Sequence, residues 1–217
     1  MYSNKKVSLN TDIVLIDIIG FSELNSTQQL ETINLVTNIF KKMILQMLKN
    51  SNMPLEKFII GLVSTDYGFY CILNPRLQGY GTILGLSFNH LSEQISKKLR
   101  YIKGIKIAVH NTIIYKFKDI LGHTKFIGDG LDECSGYLDF KDHSIFTIIV
   151  SDSAYTSFKK FLSIFKDYNT LLIEKGFKHS ELYTFKDTNN EEKKVTLIWL
   201  SESGIINPPN INFNSAR

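Results

Sequence analysis

The sequence contains no apolar run of the length a bilayer-crossing helix needs, about 20 residues, so no membrane span is expected. Met1 to Asn10 holds Lys5 and Lys6 but no apolar stretch ahead of a cleavage site, and the run Ile13 to Ile19 is short and broken by Asp17. No secretory signal is therefore expected, and the cytoplasm is the expected compartment. Cysteine is scarce. Cys71 and Cys134 stand far apart without metal-ligand spacing, so they read as two reduced, buried thiols. His90, His123, His143 and His179 share no metal spacing either. A P-loop and a Gly-x-Ser-x-Gly elbow are both missing. The charge excess is only +4, too small to imply a nucleic-acid partner but compatible with an anionic ligand. Its one concentration, Lys97, Lys98, Arg100, Lys103 and Lys106, flanks a helix end and reads as a solvated face. With no repeat and no Pro- or Ser-rich linker, one domain is expected over residues 1–200, with an irregular tail at 201–217.

What is present is strongly patterned. Asp12 to Ile19 is nearly all apolar and β-branched, the mark of a strand buried on both faces. Gly20 breaks it, and Ser26 with Gln29 forms a capping-box signature for a helix reaching about Lys49. Lys57–Thr65 and Phe69–Leu73, joined by Asp66-Tyr67-Gly68, predict a β-hairpin. A second helix is expected over Ile83–Leu99 and a strand over Lys106–Tyr115. A loop through Gly122 and His123 then leads to a short helix near Leu131–Leu138. Ile145–Val150 reads as a strand, Ser151 or Asp152 as the cap of a helix to about Phe165, and Glu181–Phe185 with Lys194–Leu200 as a closing hairpin. This order, with helices on one side, argues for an α/β sandwich of the ferredoxin-like kind.

Asp17 demands an explanation, because a carboxylate in a buried strand is costly unless paired, hydrogen-bonded or bound to a metal. It is either a strand-end Asp pairing with a lysine or a metal ligand. The residues C-terminal to it favour the second. Gly20 allows a sharp turn, the amides after it face outward where a phosphate is favoured, and a hard cation on Asp17 could bridge to that phosphate.

The run Leu15-Ile16-Asp17-Ile18-Ile19-Gly20-Phe21-Ser22 resembles the first-strand motif of class III nucleotidyl cyclases: apolar strand, metal-binding Asp, two apolar residues, Gly-Phe and a hydroxyl residue. The likeness extends over about residues 10–165, through Ile107-Ala108-Val109-His110, Gly128-Asp129-Gly130-Leu131 and Ile148-Ile149-Val150-Ser151. It implies the class III cyclase fold, a mixed and mostly antiparallel sheet with helices packed on it. It also implies a homodimer with sites at the interface, Mg²⁺ or Mn²⁺, and a nucleoside triphosphate substrate. Asp17 matches the first metal ligand, while Ile18, Gly20, Phe21 and Ser22 match the triphosphate seat.

The resemblance breaks in places. Aligned on Gly68, the family's second metal Asp falls on Tyr67; Asp66 is then either a ligand reached by turn geometry or simply a turn former. The family's Asn and Arg on the short helix become Asp132 and Gly136, so the ribose amide and the transition-state cation are both lost unless a cation such as Lys125 or Lys141 substitutes. Ile59-Ile60-Gly61-Leu62 lacks the purine-reading Lys, and Lys125 stands where its Asp partner would be. Lys can only donate, which argues against adenine if Lys125 lines the pocket; its other reading is a surface lysine. The soluble layout and the missing Lys resemble the Pycsar-type pyrimidine cyclases, which implies cyclic UMP or CMP as an antiphage signal. The sequence leaves two function classes open: a cyclase using Asp17 and Asp66, or an inactive relative acting as a nucleotide- or protein-binding module.

Overall fold

The computed structural model describes residues 7–49, 51, 53–141, 147–202, 206, 208 and 209. Its centre is β1 (Val7–Ile19), whose residues from Thr11 to Ile16 are all buried. β1 pairs antiparallel with β3 (Gly68–Leu73) on one side and along its whole length with β4 (Gly104–Lys118) on the other. Eight strands form one sheet. Its order is β2 (Ile59–Ser64), β3, β1, β4, β6 (Ile148–Ser151), β8 (Glu192–Leu200) and β7 (Phe177–Lys186), with β5 (Thr124–Ile127) on the outer part of β4. Among the described pairs only β4 with β6 is parallel.

Alternation along β1 separates two faces. Val14, Ile16 and Ile18 belong to the larger core, under α1 (Ser26–Leu48), α3 (Tyr80–Lys98), α5 (Asp152–Ile164) and α6 (Lys166–Glu174). Ile13 and Leu15 belong to a second core with Tyr70, Ile72, Cys134, Tyr137 and Phe140, beneath α4 (Asp129–Gly136) and the 3₁₀ turn Tyr137–Asp139. Asp17 continues this second series. The helices are thus not all on one side as the element order suggested. α4 sits opposite the others because its buried residues, Gly130 and Cys134, complement the second face.

Other expectations shift by a few residues. The helix after Gly20 is capped by Asn25, not Ser26, in a reciprocal box with Gln28; Gln29 instead donates to the Phe21 carbonyl. A four-residue helix α2 (Leu55–Phe58) replaces the start of the expected strand at Lys57. α6 went unread because its only fully buried side chain is Leu172, which leaves no apolar stripe to detect. β5, read as loop, is a strand through its pairing with β4. Ser151 caps α5, its hydroxyl accepting from the Ala154 N–H at 3.1 Å. The expected strand start at Ile145 and most of the tail lie outside the described residues. Among the described residues no helix is long and apolar enough to cross a membrane.

A buried carboxylate ties the sheet to α3. Both Gly79 N–H (2.7 Å) and Gly81 N–H (2.9 Å) donate to Asp12 Oδ2, and Asn111 Nδ2 donates to Oδ1 at 2.7 Å. Burial pushes the Asp12 carboxyl up to about 6 against these bonds.

Candidate functional site

Asp17 stands at the last turn of the β1 pleat, opposite Gly68 on β3 and Lys106 on β4. Its carboxyl lines a cleft of about 560 Å³ at that end of the sheet. Tyr67 enters the cleft from the β2–β3 tip, Asp132, Ser135 and Gly136 from α4, and Thr188 with Asn189 from the β7–β8 turn. Burial raises the Asp17 carboxyl to about 6, and the Lys106 charge pulls the other way without forming a close ion pair among the described residues. Asp17 is therefore half-buried and makes no close ion pair with its lysine among the described residues.

Immediately after it the chain reverses at Gly20, whose φ of 86° is left-handed and suits glycine. Phe21–Glu23 forms one 3₁₀ turn, with Glu23 N–H returning to the Gly20 carbonyl at 3.1 Å. Neither Phe21 N–H nor Ser22 N–H makes a hydrogen bond among the described residues. The Phe21 ring packs on the larger core and Ser22 is exposed. The Ile18 side chain is buried on that same face, so only its backbone borders the site, donating to the Tyr67 carbonyl at 2.9 Å.

At the hairpin tip a β-carbon on Gly68 would meet the Ile16 carbonyl at 1.9 Å, so only glycine fits against β1 there. That contact fixes the register beside Asp17. Tyr67 shares the second face, its hydroxyl 3.5 Å from that of Tyr70. Asp66 is exposed and is not among the residues lining the cleft.

α4 brings Asp132 into the cleft, exposed there, while Asp129 lies exposed in the first turn. Gly136 packs against the β7–β8 hairpin: a β-carbon on it would lie 3.0 Å from Asp187 Oδ2 and 3.4 Å from Lys193 Cε. Lys193 is buried, paired with Glu191 at 2.8 Å and Asp187 at 3.6 Å, and stands 5.9 Å over the Tyr137 ring. Lys141 is exposed and outside the cleft lining. Lys125 is exposed on β5, beside Phe126, whose ring comes so close to Gly61 that a β-carbon there would lie 2.2 Å from it. The structure thus juxtaposes β2 and β5 but leaves the Lys125 charge in solvent.

His110 is a linking residue beneath α4. Its Nδ1 lies 2.9 Å from Ser151 Oγ and its Nε2 2.9 Å from Glu133 Oε2. Because Glu133 only accepts, Nε2 carries the proton and Nδ1 accepts from a hydroxyl. Burial lowers the imidazole pKa, while the Glu133 carboxylate works in the opposite direction. Lys106, Thr188 and Asn189 were not singled out by sequence as site residues. Strand register brings the first beside Asp17, and the docking of a distant hairpin brings the other two.

Among the described residues no three His, Cys, Asp or Glu side chains cluster closely enough to enclose a metal. The donor set nevertheless suits a hard divalent ion held by one or two carboxylates and completed by water and phosphate oxygens, the usual habit of Mg²⁺.

No protein-family model matches the chain, and no curated protein matches it in sequence. Solved structures do match. The catalytic core of a rhodopsin-guanylyl cyclase with converted specificity, in complex with ATPαS, superposes with a TM-score of 0.59 over 90% of this chain and 98% of its own, at 13% identity. The guanylate cyclase domain of RhGC from Catenaria anguillulae, in complex with GTP, gives 0.56 over 89% and 98% at 14% identity. A bacterial light-regulated adenylyl cyclase gives 0.52 over 93% of this chain and 54% of its own at 11% identity. The chain has the class III cyclase catalytic fold.

Proposed function

We propose, from that fold and the placement of Asp17, that this chain is a metal-dependent nucleotidyl cyclase. It would convert a nucleoside triphosphate, UTP or CTP in preference, to the 3′,5′-cyclic nucleotide and pyrophosphate. The observation that carries the proposal is Asp17 itself: a half-buried carboxyl with a raised pKa, without a close ion pair among the described residues, lining a cleft beside a left-handed glycine turn.

In the reaction the ribose 3′-hydroxyl would give its proton to a water molecule as its oxygen bonds to the α-phosphorus, and the bond from that phosphorus to the bridging oxygen would break, that oxygen leaving with pyrophosphate. A bound Mg²⁺ or Mn²⁺ would supply Lewis-acid polarisation and charge neutralisation. The chain's own residues would do the rest. Asp17 would hold the ion. Asp66 at the hairpin tip and Asp132 on α4 are candidates to complete its set; Asp132 lines the cleft, as does Asp139, whose Oδ2 already accepts from the Thr188 N–H. The free N–H groups of Phe21 and Ser22 after Gly20 would seat phosphate oxygens, with the Lys106 charge beside Asp17. The pyrimidine preference is supported by the uncharged Ile59–Leu62 segment and by Phe126 lying against Gly61, which leaves little width between β2 and β5. An antiphage messenger role is carried only by the sequence resemblance.

A homodimer is supported by the β4–β5 arm. Ile113, Tyr115, Phe117 and Ile127 are exposed along it, and Ile120 and Leu121 at its tip are 101% and 73% exposed. So many apolar side chains on one hairpin call for a covering partner, and a second copy of this chain is the occupant proposed.

The second reading, an inactive module of the same fold, is favoured by one observation: Gly136 and Asp187 fill the place where a transition-state cation would be expected. One experiment separates the two. Purified protein is incubated with each nucleoside triphosphate and Mn²⁺ and the products are weighed by mass spectrometry. A cyclic product from a pyrimidine substrate supports the enzyme, and none from a folded dimer supports the module.

A further inference from the structure

Consecutive residues of a strand point to opposite faces, and the pair His110-Asn111 on β4 uses both. Asn111 reaches the α3 side, where its Nδ2 bonds the Asp12 carboxyl that holds the start of α3. His110 lies across from Ile13 of the second core. It is 5% exposed, and its ring packs 5.1 Å from that of Tyr137. Nδ1 is held by the Ser151 hydroxyl at 2.9 Å, and the same oxygen accepts from the Ala154 N–H at the start of α5. Ser153 Oγ lies 3.3 Å from Nδ1 and donates to the Asn111 carbonyl at 2.8 Å. The imidazole is thus anchored at the corner between β6 and α5, and its Nε2 reaches α4.

α4 presents two sides. On the inner one, Gly130 lies so close to β4 that a β-carbon there would stand 2.2 Å from Thr112 Cγ2. Cys134 is fully buried on that side, and Glu133 accepts from His110 Nε2 at 2.9 Å. On the outer side Asp132 and Ser135 line the Asp17 cleft. A helix of two turns does not hold itself in water, so its inner contacts set its position. Apolar contact is non-directional and tolerates rotation about the helix axis. A hydrogen bond is directional. The bond from a fixed imidazole to Glu133 therefore decides where the neighbouring Asp132 points.

Resting on the cyclase reading for its consequence, we propose that His110 is a positioning residue that fixes the rotation of α4 through Glu133. His110 does not line the cleft and acts only through the helix. The tie is internal to one chain and operates whether or not a second copy completes the cleft.

Hydrogen exchange of the full chain reads α4 directly. In Glu133→Ala the amides of Cys134, Ser135 and Gly136 are expected to exchange about 3- to 10-fold faster, the range for one hydrogen bond. Those of α5 should stay unchanged. Alanine is the better helix former, so propensity alone would slow exchange. Glu133→Gln keeps an acceptor oxygen and is expected to return exchange to within about twofold of wild type. His110→Phe keeps a ring against Tyr137 and should speed α4 as Glu133→Ala does, with no further change when the two are combined. Glu133 is exposed, so if His110→Phe fails to fold, the two Glu133 variants decide. In the product assay Glu133→Ala is expected to lower kcat/KM about 3- to 10-fold and Glu133→Gln to restore it. Unchanged α4 exchange in Glu133→Ala, a glutamine variant that behaves like the alanine one, or α4 and α5 speeding up together with a lowered unfolding midpoint overturns the assignment. A wild type that makes no cyclic product overturns the cyclase reading, and exchange still decides the role of His110.

Discussion

Gly136 packs against Asp187: a β-carbon on residue 136 would lie 3.0 Å from Asp187 Oδ2. α4 and the β7–β8 turn meet there, with Lys193 Cε 3.4 Å from the same point, and Gly136 also borders the Asp17 cleft. A side chain at position 136 would press on the Asp187 and Lys193 side chains that hold the turn carrying Thr188 and Asn189.

Gly136→Arg is accordingly expected to destabilise the protein by about 1–3 kcal/mol, the usual cost of overpacking, and to bring no gain in cyclic product. Urea denaturation and a product assay check both. A stable, more active variant would mean that the hairpin yields and the cation reaches the cleft.

Asp17→Asn is expected to abolish Mn²⁺-dependent cyclisation and to stabilise the fold at neutral pH. Burial raises this carboxyl from 3.8 to about 6. The folded state then holds the proton more tightly than the unfolded chain. Its contribution to stability is full below pH 3.8 and is lost as pH rises through about 6. The asparagine carries no charge to lose, so its stability advantage over wild type should open across that window and persist above it. Denaturant unfolding as a function of pH reads this directly, and a flat difference would mean a solvated Asp17.

The two candidate partners of Asp17 differ in position, which separates their effects. Asp132→Ala is expected to weaken Mn²⁺ binding in calorimetry. Asp66→Ala, a change at an exposed turn away from the cleft, is expected to change it less than about twofold. The reverse order would show that the hairpin tip reaches the ion by moving.

The arm makes a separate prediction. Ile120→Glu with Leu121→Glu should leave thermal unfolding of the monomer unchanged, since both side chains are exposed. Sedimentation should show the pair converting a dimer to a monomer, with loss of cyclic product. A wild-type chain that sediments as a monomer at the same concentration would remove the dimer from the proposal.

Much of this was legible in sequence for definite reasons. A carboxylate inside an apolar strand needs a partner or a ligand, which is why Asp17 stood out, and Gly20 was marked because a sharp turn after a strand favours a residue without a β-carbon. The offset of Asp66 from the register set by Gly68 was readable too, since the tip is short. Lys106 appeared only as one of several basic residues; its place across from Asp17 is a fact of β1–β4 pairing. Gly136 read as the loss of an arginine, whereas the structure gives it a packing role against Asp187.

The sequence by itself determined the buried central strand, the acid at its end, the glycine turn and the periodic helices, because alternation and helical repeat are local and need no partner. Tertiary structure alone decided that α4 covers the second face of the sheet, that Tyr67 lines the cleft where Asp66 does not, and that Thr188 and Asn189 complete its wall. Those outcomes depend on cross-strand register and on how closely two distant backbones can approach, and no single segment encodes either.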